Sequence, residues 1–339
     1  MSKKVQTDIQ TLDIAVKLEG VTKSFEQWIR RGNIKDSIKN LFKSEKRILL
    51  ALDNISFEIK KGEFVAYAGP NGAGKSTTMK LLSGMLLPMK GDIEVLGLSP
   101  NKDRIKLMKD LGILFGNRTE LWWDHPIISS FEWKRVVWGI PKDEFIKTRD
   151  MVIELLDISD IINTFARELS LGQRMRADLA LMLLHNPKII LLDEPTLGLD
   201  VLAKRKMINF LKNLNKEFDT TIIVTSHDMD DLEEMAERIL LISNGKIAFD
   251  GDFEGLRELT GNLQRIIINT KDKINLNIKF GELVSNNDNM FVYEFDSNKI
   301  HIRDVLYEMS RLEGEFNLEI KKAPIEDVIS NLYIKWKNK

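Results

Sequence analysis

Gly69-Pro70-Asn71-Gly72-Ala73-Gly74-Lys75-Ser76 has the spacing G-x-x-x-x-G-K-[ST]. Glycines at these positions let the backbone curl until its N–H groups point inward at an anion. A lysine at the seventh position can reach the β and γ phosphates of a nucleotide, and the serine hydroxyl after it can ligate Mg²⁺. Thr77 carries the segment on into a helix whose positive dipole end faces the same anion. A second cluster follows the apolar run Ile189–Leu192: Asp193 ends it and Glu194 comes next. An unpaired carboxylate at the end of a buried strand is costly. A role at Mg²⁺, directly or through water, removes that objection for Asp193. Glu194, one position further, can orient an attacking water as general base. His227 sits just past the apolar run Thr221–Thr225. Taken singly, each cluster has a plainer reading: a glycine turn with a surface lysine, a capping Asp-Glu pair, a surface histidine. Together they converge on one chemistry, water attack on a bound phosphoanhydride.

The elements that must position these residues are legible as well. Glu63–Ala68 reads as a mostly buried strand, and a helix from about Ser76 to Leu86 follows the glycine loop. Ile189–Leu192 and Thr221–Thr225 are continuous apolar runs, as expected of parallel strands buried on both faces. Between them Met207, Ile208, Leu211 and Leu214 mark a helix. This strand–helix–strand order predicts a right-handed crossover, with active groups gathered at the C-terminal strand ends. Leu240–Ser243 and Lys246–Phe249 flank Asn244-Gly245, a tight-hairpin signal. From about 125 to 185 the pattern is helical, with Met151–Leu156 in one candidate helix and Arg176–Leu184 in another. A Gly261-Asn262 turn marks a plausible boundary. Beyond it Met290–Phe295 and Phe316–Ile320 read as strands. Ile302–Leu312 reads as a helix, and Pro324 opens another with Ile325, Val328, Ile329 and Leu332 on one face.

Composition sets outer bounds. The chain has 339 residues, room for about two domains. Its formal net charge of −1 gives no global field for nucleic acid. It contains no cysteine, which excludes disulfides and Cys-ligated metals. No run approaches the length of a membrane span and the N-terminus lacks a signal-peptide core, so any membrane role is expected to be peripheral.

The order Gly69–Ser76, Leu169-Ser170-Leu171-Gly172-Gln173, Asp193-Glu194, Leu199-Asp200 and His227 resembles the ATP-binding cassette of ABC transporters over roughly residues 14–255. The resemblance implies an α/β P-loop cassette: a mainly parallel core sheet, an antiparallel β subdomain and a helical subdomain, here followed by a small α+β domain. It divides the chain into a cassette over 14–262, with a basic insertion at 26–50 and a helical subdomain at 117–185, and an accessory domain over 263–339. It implies ATP and Mg²⁺ as ligands. The nucleotide would be held by Asn71, Gly72, Ala73, Gly74, Lys75, Ser76 and Thr77, with Phe25 stacking on adenine. Mg²⁺ would be held by Ser76, Asp193 and Asn117. Glu194 matches the catalytic carboxylate, and His227 is similar to the switch histidine on the γ-phosphate. Ser170, Gly172 and Gln173 would face the γ-phosphate held by a second cassette, an identical chain in the simplest arrangement, and Asp200 looks like the loop linking the two sites.

A narrower likeness lies in Leu114–Asp124 and Ala323–Ile329, which resemble bacterial ABC-2 type exporter ATPases of the drug-efflux kind. That implies separately encoded membrane permeases and a location on the cytoplasmic side of the membrane. An importer subunit and a soluble non-transport ATPase of the same class are the rival readings. The sequence departs from the family in three places. Asn117 stands where glutamine is usual, Leu171 replaces the first glycine of the signature, and some 15 extra residues separate Phe25 from Ala51-Leu52-Asp53. Within the insertion Ile34, Ile38, Leu41 and Phe42 fall on one helical face among lysines and arginines, a pattern suited either to an anionic membrane surface or to packing on the cassette. Trp122, Trp123, Trp133 and Trp138 cluster in sequence, with the first two the better candidates for an interface. His125, His185 and His301 are expected to be exposed or capping residues.

Overall fold

The structure is a computed structural model and describes residues 13–28, 46–115, 118–270, 281–287, 289–311 and 315–337. Asn117, the helical face Ile34–Phe42 and Leu312 lie outside them. The chain divides into two compact units, Met1–Asp250 and Gly251–Lys339.

In chain order the first unit contains β1 (Ile14–Trp28), β2 (Lys46–Lys60), β3 (Phe64–Ala68), α1 (Lys75–Leu82), β4 (Lys90–Val95), α2 (Arg104–Leu107) and β5 (Leu111–Phe115). It continues with α3 (Ile127–Trp138), α4 (Lys142–Leu155), α5 (Leu171–Leu183), β6 (Ile189–Asp193), α6 (Val201–Phe218), β7 (Thr221–Thr225), α7 (Met229–Met235), β8 (Arg238–Ser243) and β9 (Lys246–Asp252). The six-stranded core sheet has the order β5-β6-β7-β3-β8-β9, and every pairing from β5 through to β8 is parallel. β3 and β7 are buried along their whole length, as their unbroken apolar runs require. β9 returns from β8 through Asn244-Gly245, whose positive φ values of 50° and 77° suit a two-residue hairpin turn.

A second, antiparallel sheet has the order β2-β1-β4. The ends of the 26–50 insertion belong to it. Glu26 pairs with Ile48 and Trp28 with Lys46, so β1 and β2 extend as a ribbon beyond the body of the sheet. Ile48, Leu49 and Leu50 on that ribbon are exposed. The sequence pattern shows only a helical face here, because strand pairing between residues 18 to 22 apart leaves no local period.

α5 opens at Leu171, five residues before the start that apolar spacing suggests. The reason is a capping box: Ser170 Oγ accepts from Gln173 N–H at 3.2 Å, and Gln173 Oε1 accepts from Ser170 N–H at 2.9 Å. α1 stops at Leu82, short of the expected Leu86, where Gly84 takes a φ of 67°.

The second unit contains α8 (Phe253–Glu258), β10 (Leu263–Thr270), β11 (Glu282–Asn287), β12 (Met290–Asp296), α9 (Ile302–Met309), β13 (Phe316–Lys322) and α10 (Ile325–Lys337). Its antiparallel sheet has the order β11-β12-β10-β13. Ile266, Ile268, Phe291, Tyr293 and Phe295 point to one face, where Val305 and Met309 of α9 complete a core. Ile325, Val328, Ile329 and Leu332 are the buried stripe of α10, at the spacing the sequence shows. Among the described residues no helix is long and apolar enough to cross a membrane.

Candidate functional site

Four adjacent parallel strands end on one side of the core sheet, and three of them deliver a piece of chemistry there. β3 runs into the glycine loop. β6 ends at Asp193, which lies opposite Phe115 of β5 and Thr225 of β7. β7 leads to His227 two residues later. This is the crevice outside the carboxyl ends of an open α/β sheet, where such folds bind ligands.

The loop is held from below. Tyr67 of β3 is fully buried and its hydroxyl lies 3.0 Å from Thr78 Oγ1 of α1, which ties the strand before the loop to the helix after it. Gly74 has a φ of 117°, and a Cβ there would come within 2.7 Å of the Ala51 carbonyl oxygen, so only glycine fits. No side chain caps α1, which leaves the amides of its first turn, including those of Lys75, Ser76 and Thr77, to an external acceptor. Asn71 and Gly72 are exposed at the loop tip, and Ala73 is buried.

Lys75 is 7% exposed, and its ammonium donates to the loop's own carbonyls, Gly69 O at 2.6 Å and Pro70 O at 3.3 Å. Burial lowers its pKa, opposed by the charges of Glu194 and Asp193. Asp193 accepts from Thr225 Oγ1–H at 2.6 Å. Glu194 has a φ of 61°, uncommon for a residue with a side chain, and its N–H is held by Thr225 O at 3.1 Å. Its carboxylate Oε1 lies 2.7 Å from His227 Nε2. Strain of this kind persists only where surrounding bonds over-determine it, and here it turns the carboxylate towards β7 and His227. Ser76, Asp193 and Glu194 line one cavity of about 540 Å³, so the hydroxyl and carboxylate expected to hold Mg²⁺ face a common space, and hard oxygen donors of this kind fit that ion.

The remaining expected residues lie elsewhere. Phe25 is on β1, opposite Leu49, with the Lys23 ammonium 5.4 Å from its ring centre. Its sheet meets the loop through Ala51 and Leu52, the neighbours of Gly74. Ser170 is exposed at the start of α5. It accepts from Gln173 yet keeps its own hydroxyl proton for an external oxygen. Leu171 is the first helical residue of α5 and has no positive φ, so a side chain costs nothing there. It packs towards Gly198, and Gly172 faces Leu199 and Ala203. Asp200 caps α6, with its Oδ1 accepting from Leu202 and Ala203 N–H at 3.0 and 2.9 Å.

Some residues carry more than the sequence suggested. His185 is not a surface residue: it is half-buried, Nε2 lies 3.2 Å from Leu111 O, and its ring lies 5.7 Å from that of Trp138. Burial, with the Lys134 charge, pushes its pKa down to about 4. Lys134 is 3% exposed, pairs with Glu120 at 3.1 Å and lies 4.3 Å from the Trp138 ring centre. Asp178 is buried and takes two hydrogen bonds from the segment after Asn117. Lys134 lies beside Glu132 and Arg135, and Asp178 follows Arg174 and Arg176, so local sequence does not separate either from solvated charges. Trp122, Trp123 and Trp133 are exposed, and the rings of Trp122 and Trp133 lie 5.7 Å apart.

A glycine loop, a lysine, a metal-type carboxylate and a second carboxylate at adjacent strand ends define a P-loop nucleotide-binding protein. The ABC transporter family profile matches residues 52–197. The uncharacterized ABC transporter ATP-binding protein YhcH of Bacillus subtilis is 37% identical over 58% of this chain and 63% of its own length. The methionine import ATP-binding protein MetN of Carboxydothermus hydrogenoformans is 31% identical over 61% of this chain and 62% of its own. The energy-coupling factor transporter ATP-binding protein EcfA of Methanocaldococcus jannaschii is 32% identical over 66% of this chain and 85% of its own. Matches to the first two thus span less than two thirds of those proteins. Among solved structures, the dimeric ATP-binding cassette MJ0796 in a post-hydrolysis state, bound to ADP and Pi, is similar with a TM-score of 0.58 and 27% identity. That likeness covers 70% of this chain and 98% of the other. The chain belongs to the ATP-binding subunits of the ABC transporter family.

Proposed function

We propose that this chain is the ATP-hydrolysing subunit of an ABC-2 type membrane exporter, in which two cassettes close head-to-tail on two ATP molecules. The observation that carries the ATPase reading is the convergence of Lys75, Asp193, Glu194 and His227 at neighbouring strand ends. In this reading Lys75 leaves the Gly69 and Pro70 carbonyls for the β and γ phosphates. Glu194 holds the attacking water, and His227 moves from Glu194 to the γ-phosphate. Ser76 and Asp193, with Asn117, would hold Mg²⁺, which supplies charge neutralisation at the phosphates. Catalysis is then positioning and electrostatic stabilisation.

Head-to-tail closure is supported by Ser170, exposed at a helix start with a hydroxyl proton to donate, and by the likeness to a dimeric cassette. The export direction rests on the likeness of Leu114–Asp124 and Ala323–Ile329 to exporter subunits. MetN, named for import, keeps the importer reading as the alternative. Assignment of 14–262 as the working cassette, 263–339 as an accessory domain, and a peripheral position on the cytoplasmic face with separate permeases belong to the same proposal. The exposed Trp122 and Trp123 are the surface we assign to permease contact.

Glu194→Gln tests the reading. It is expected to keep ATP binding, to lower turnover about 10²–10⁴-fold and to accumulate a closed dimer. Turnover equal to that of the unaltered protein would remove Glu194 from the chemistry.

A further inference from the structure

The segment that follows β5 is fastened to one stripe of α5, and that stripe leads back to Ser170. Asp178 Oδ1 accepts from Thr119 Oγ1–H at 2.8 Å and from Glu120 N–H at 3.1 Å. The Thr119 hydroxyl oxygen in turn accepts from Leu121 N–H at 3.1 Å. One turn towards the N-terminus of α5, the Arg174 guanidinium lies 5.9 Å from the ring centre of Trp123. Leu171, Arg174 and Asp178 have the i, i+3, i+7 spacing of one helical face. With Arg118, Thr119 and Trp123 they line a single small cavity of about 170 Å³. The other side of the same segment, Arg118 to Glu120, lines the larger cavity that holds Ser76, Asp193 and Glu194.

A carboxylate that is 7% exposed in a helix interior needs a reason, since burial alone opposes its charge. Two donors from one loop supply it. The bonds span 59 and 58 residues, so they hold two separate elements together and do not shape either one locally.

We infer that Asp178 is a positioning residue that ties the segment 118–121, at this chain's own nucleotide cavity, to the helix that presents Ser170 to a second copy. A displacement of the segment when nucleotide enters the cavity is passed to α5 as a rigid element, so that filling one site sets the angle at which Ser170 meets the other. The inference rests on the head-to-tail reading above.

The test uses the full chain in the Glu194→Gln background, with ATP-dependent dimerisation measured by analytical ultracentrifugation and monomer affinity measured with a fluorescent ATP analogue. Asp178→Ala and Thr119→Val should each weaken dimerisation about tenfold, a typical coupling, while Asp178→Ala, outside the lining of the nucleotide cavity, changes affinity for the analogue by less than about twofold. Asp178→Asn keeps an acceptor at the same place and should dimerise as the parent does. Adding Thr119→Val to Asp178→Ala should cost little more, since both remove one tie. Thr119→Val keeps the test open should Asp178→Ala fold poorly. Equal dimerisation with and without the Thr119→Val and Asp178→Ala changes overturns the tie alone. So does Asp178→Asn failing as badly as Asp178→Ala. A Glu194→Gln parent that stays monomeric at saturating ATP overturns the head-to-tail reading itself, and the tie falls with it.

Discussion

The two regions of this chain that we propose face nucleotide are built on opposite plans. At the strand ends, charged groups are engaged by partners from the loop and the neighbouring strand end: Lys75 by the Gly69 and Pro70 carbonyls, Glu194 by His227 and Asp193 by Thr225. At the start of α5, Ser170 and Gln173 satisfy one another within four residues of chain. The first region must rearrange to take in a ligand, because its lysine and carboxylate are already engaged. The second can meet a ligand without moving internally, because its cap is closed and its hydroxyl proton is spare. The difference suggests a division of labour: one region binds and reacts, while the other is a rigid surface whose placement decides when reaction is permitted.

Mixing variants gives the largest effect. Lys75→Ala should abolish nucleotide binding at the loop, and Ser170→Arg should leave binding intact but block closure. Each alone should lose on the order of 10²-fold or more in ATP turnover. Mixed, they can form a pair in which one composite site has an intact loop and an intact Ser170, and part of the turnover should return. A mixture as inactive as its parts would break the comparison, since both regions would then serve the same site.

A smaller effect sharpens the role of the buried tie. Burial pushes the Asp178 carboxyl up to about 6, opposed by the Thr119 and Glu120 bonds. Glu120 raises it, Arg174 lowers it, and Arg118 faces the same small cavity. A carboxyl whose folded pKa lies above its unfolded value contributes stability below the unfolded value, near 4, and loses it as pH rises through about 6. Asn has no charge to bury, so Asp178→Asn should be the more stable protein at pH 8, by on the order of 2 kcal/mol. The advantage should shrink towards pH 5. Denaturant midpoints of both proteins across that range measure it, and a difference independent of pH would show that the charge is not what burial penalises.

The smallest effect concerns the cap itself. Ser170→Ala removes the acceptor for Gln173 N–H and should cost about 1 kcal/mol of stability. Asp200→Ala should cost a similar amount at α6, where one carboxylate oxygen serves two amides. Denaturant titration of both variants checks whether the two caps are equivalent in the fold and differ only in what they face.

How much of this was legible beforehand follows from the range of each interaction. The glycine loop, the apolar strands and the Asn244-Gly245 hairpin were readable because their signals lie within ten residues. Apolar spacing places α5 five residues late because Gly172, Gln173 and Arg174 interrupt it, although Ser170 and Gln173 have the spacing of a capping box. The extended β1–β2 ribbon was not readable, because Glu26 finds Ile48 only through pairing. The burial of His185 is not legible for a similar reason: its neighbours, Leu111 and Trp138, lie 74 and 47 positions away in sequence.

The amino-acid sequence by itself determined the chemistry: which residues curl around phosphate, which strands are buried on both faces, and which carboxylates end them. Local spacing and composition suffice for that, since backbone geometry and burial patterns are set within one element. Only the tertiary structure decided which of those residues meet. It set Asp193 on Thr225 of the next strand, turned Glu194 onto His227 through a left-handed backbone, and joined Asp178 to a loop nearly sixty residues away. Those contacts depend on strand order and on the packing of α5, and no short stretch of sequence carries that information.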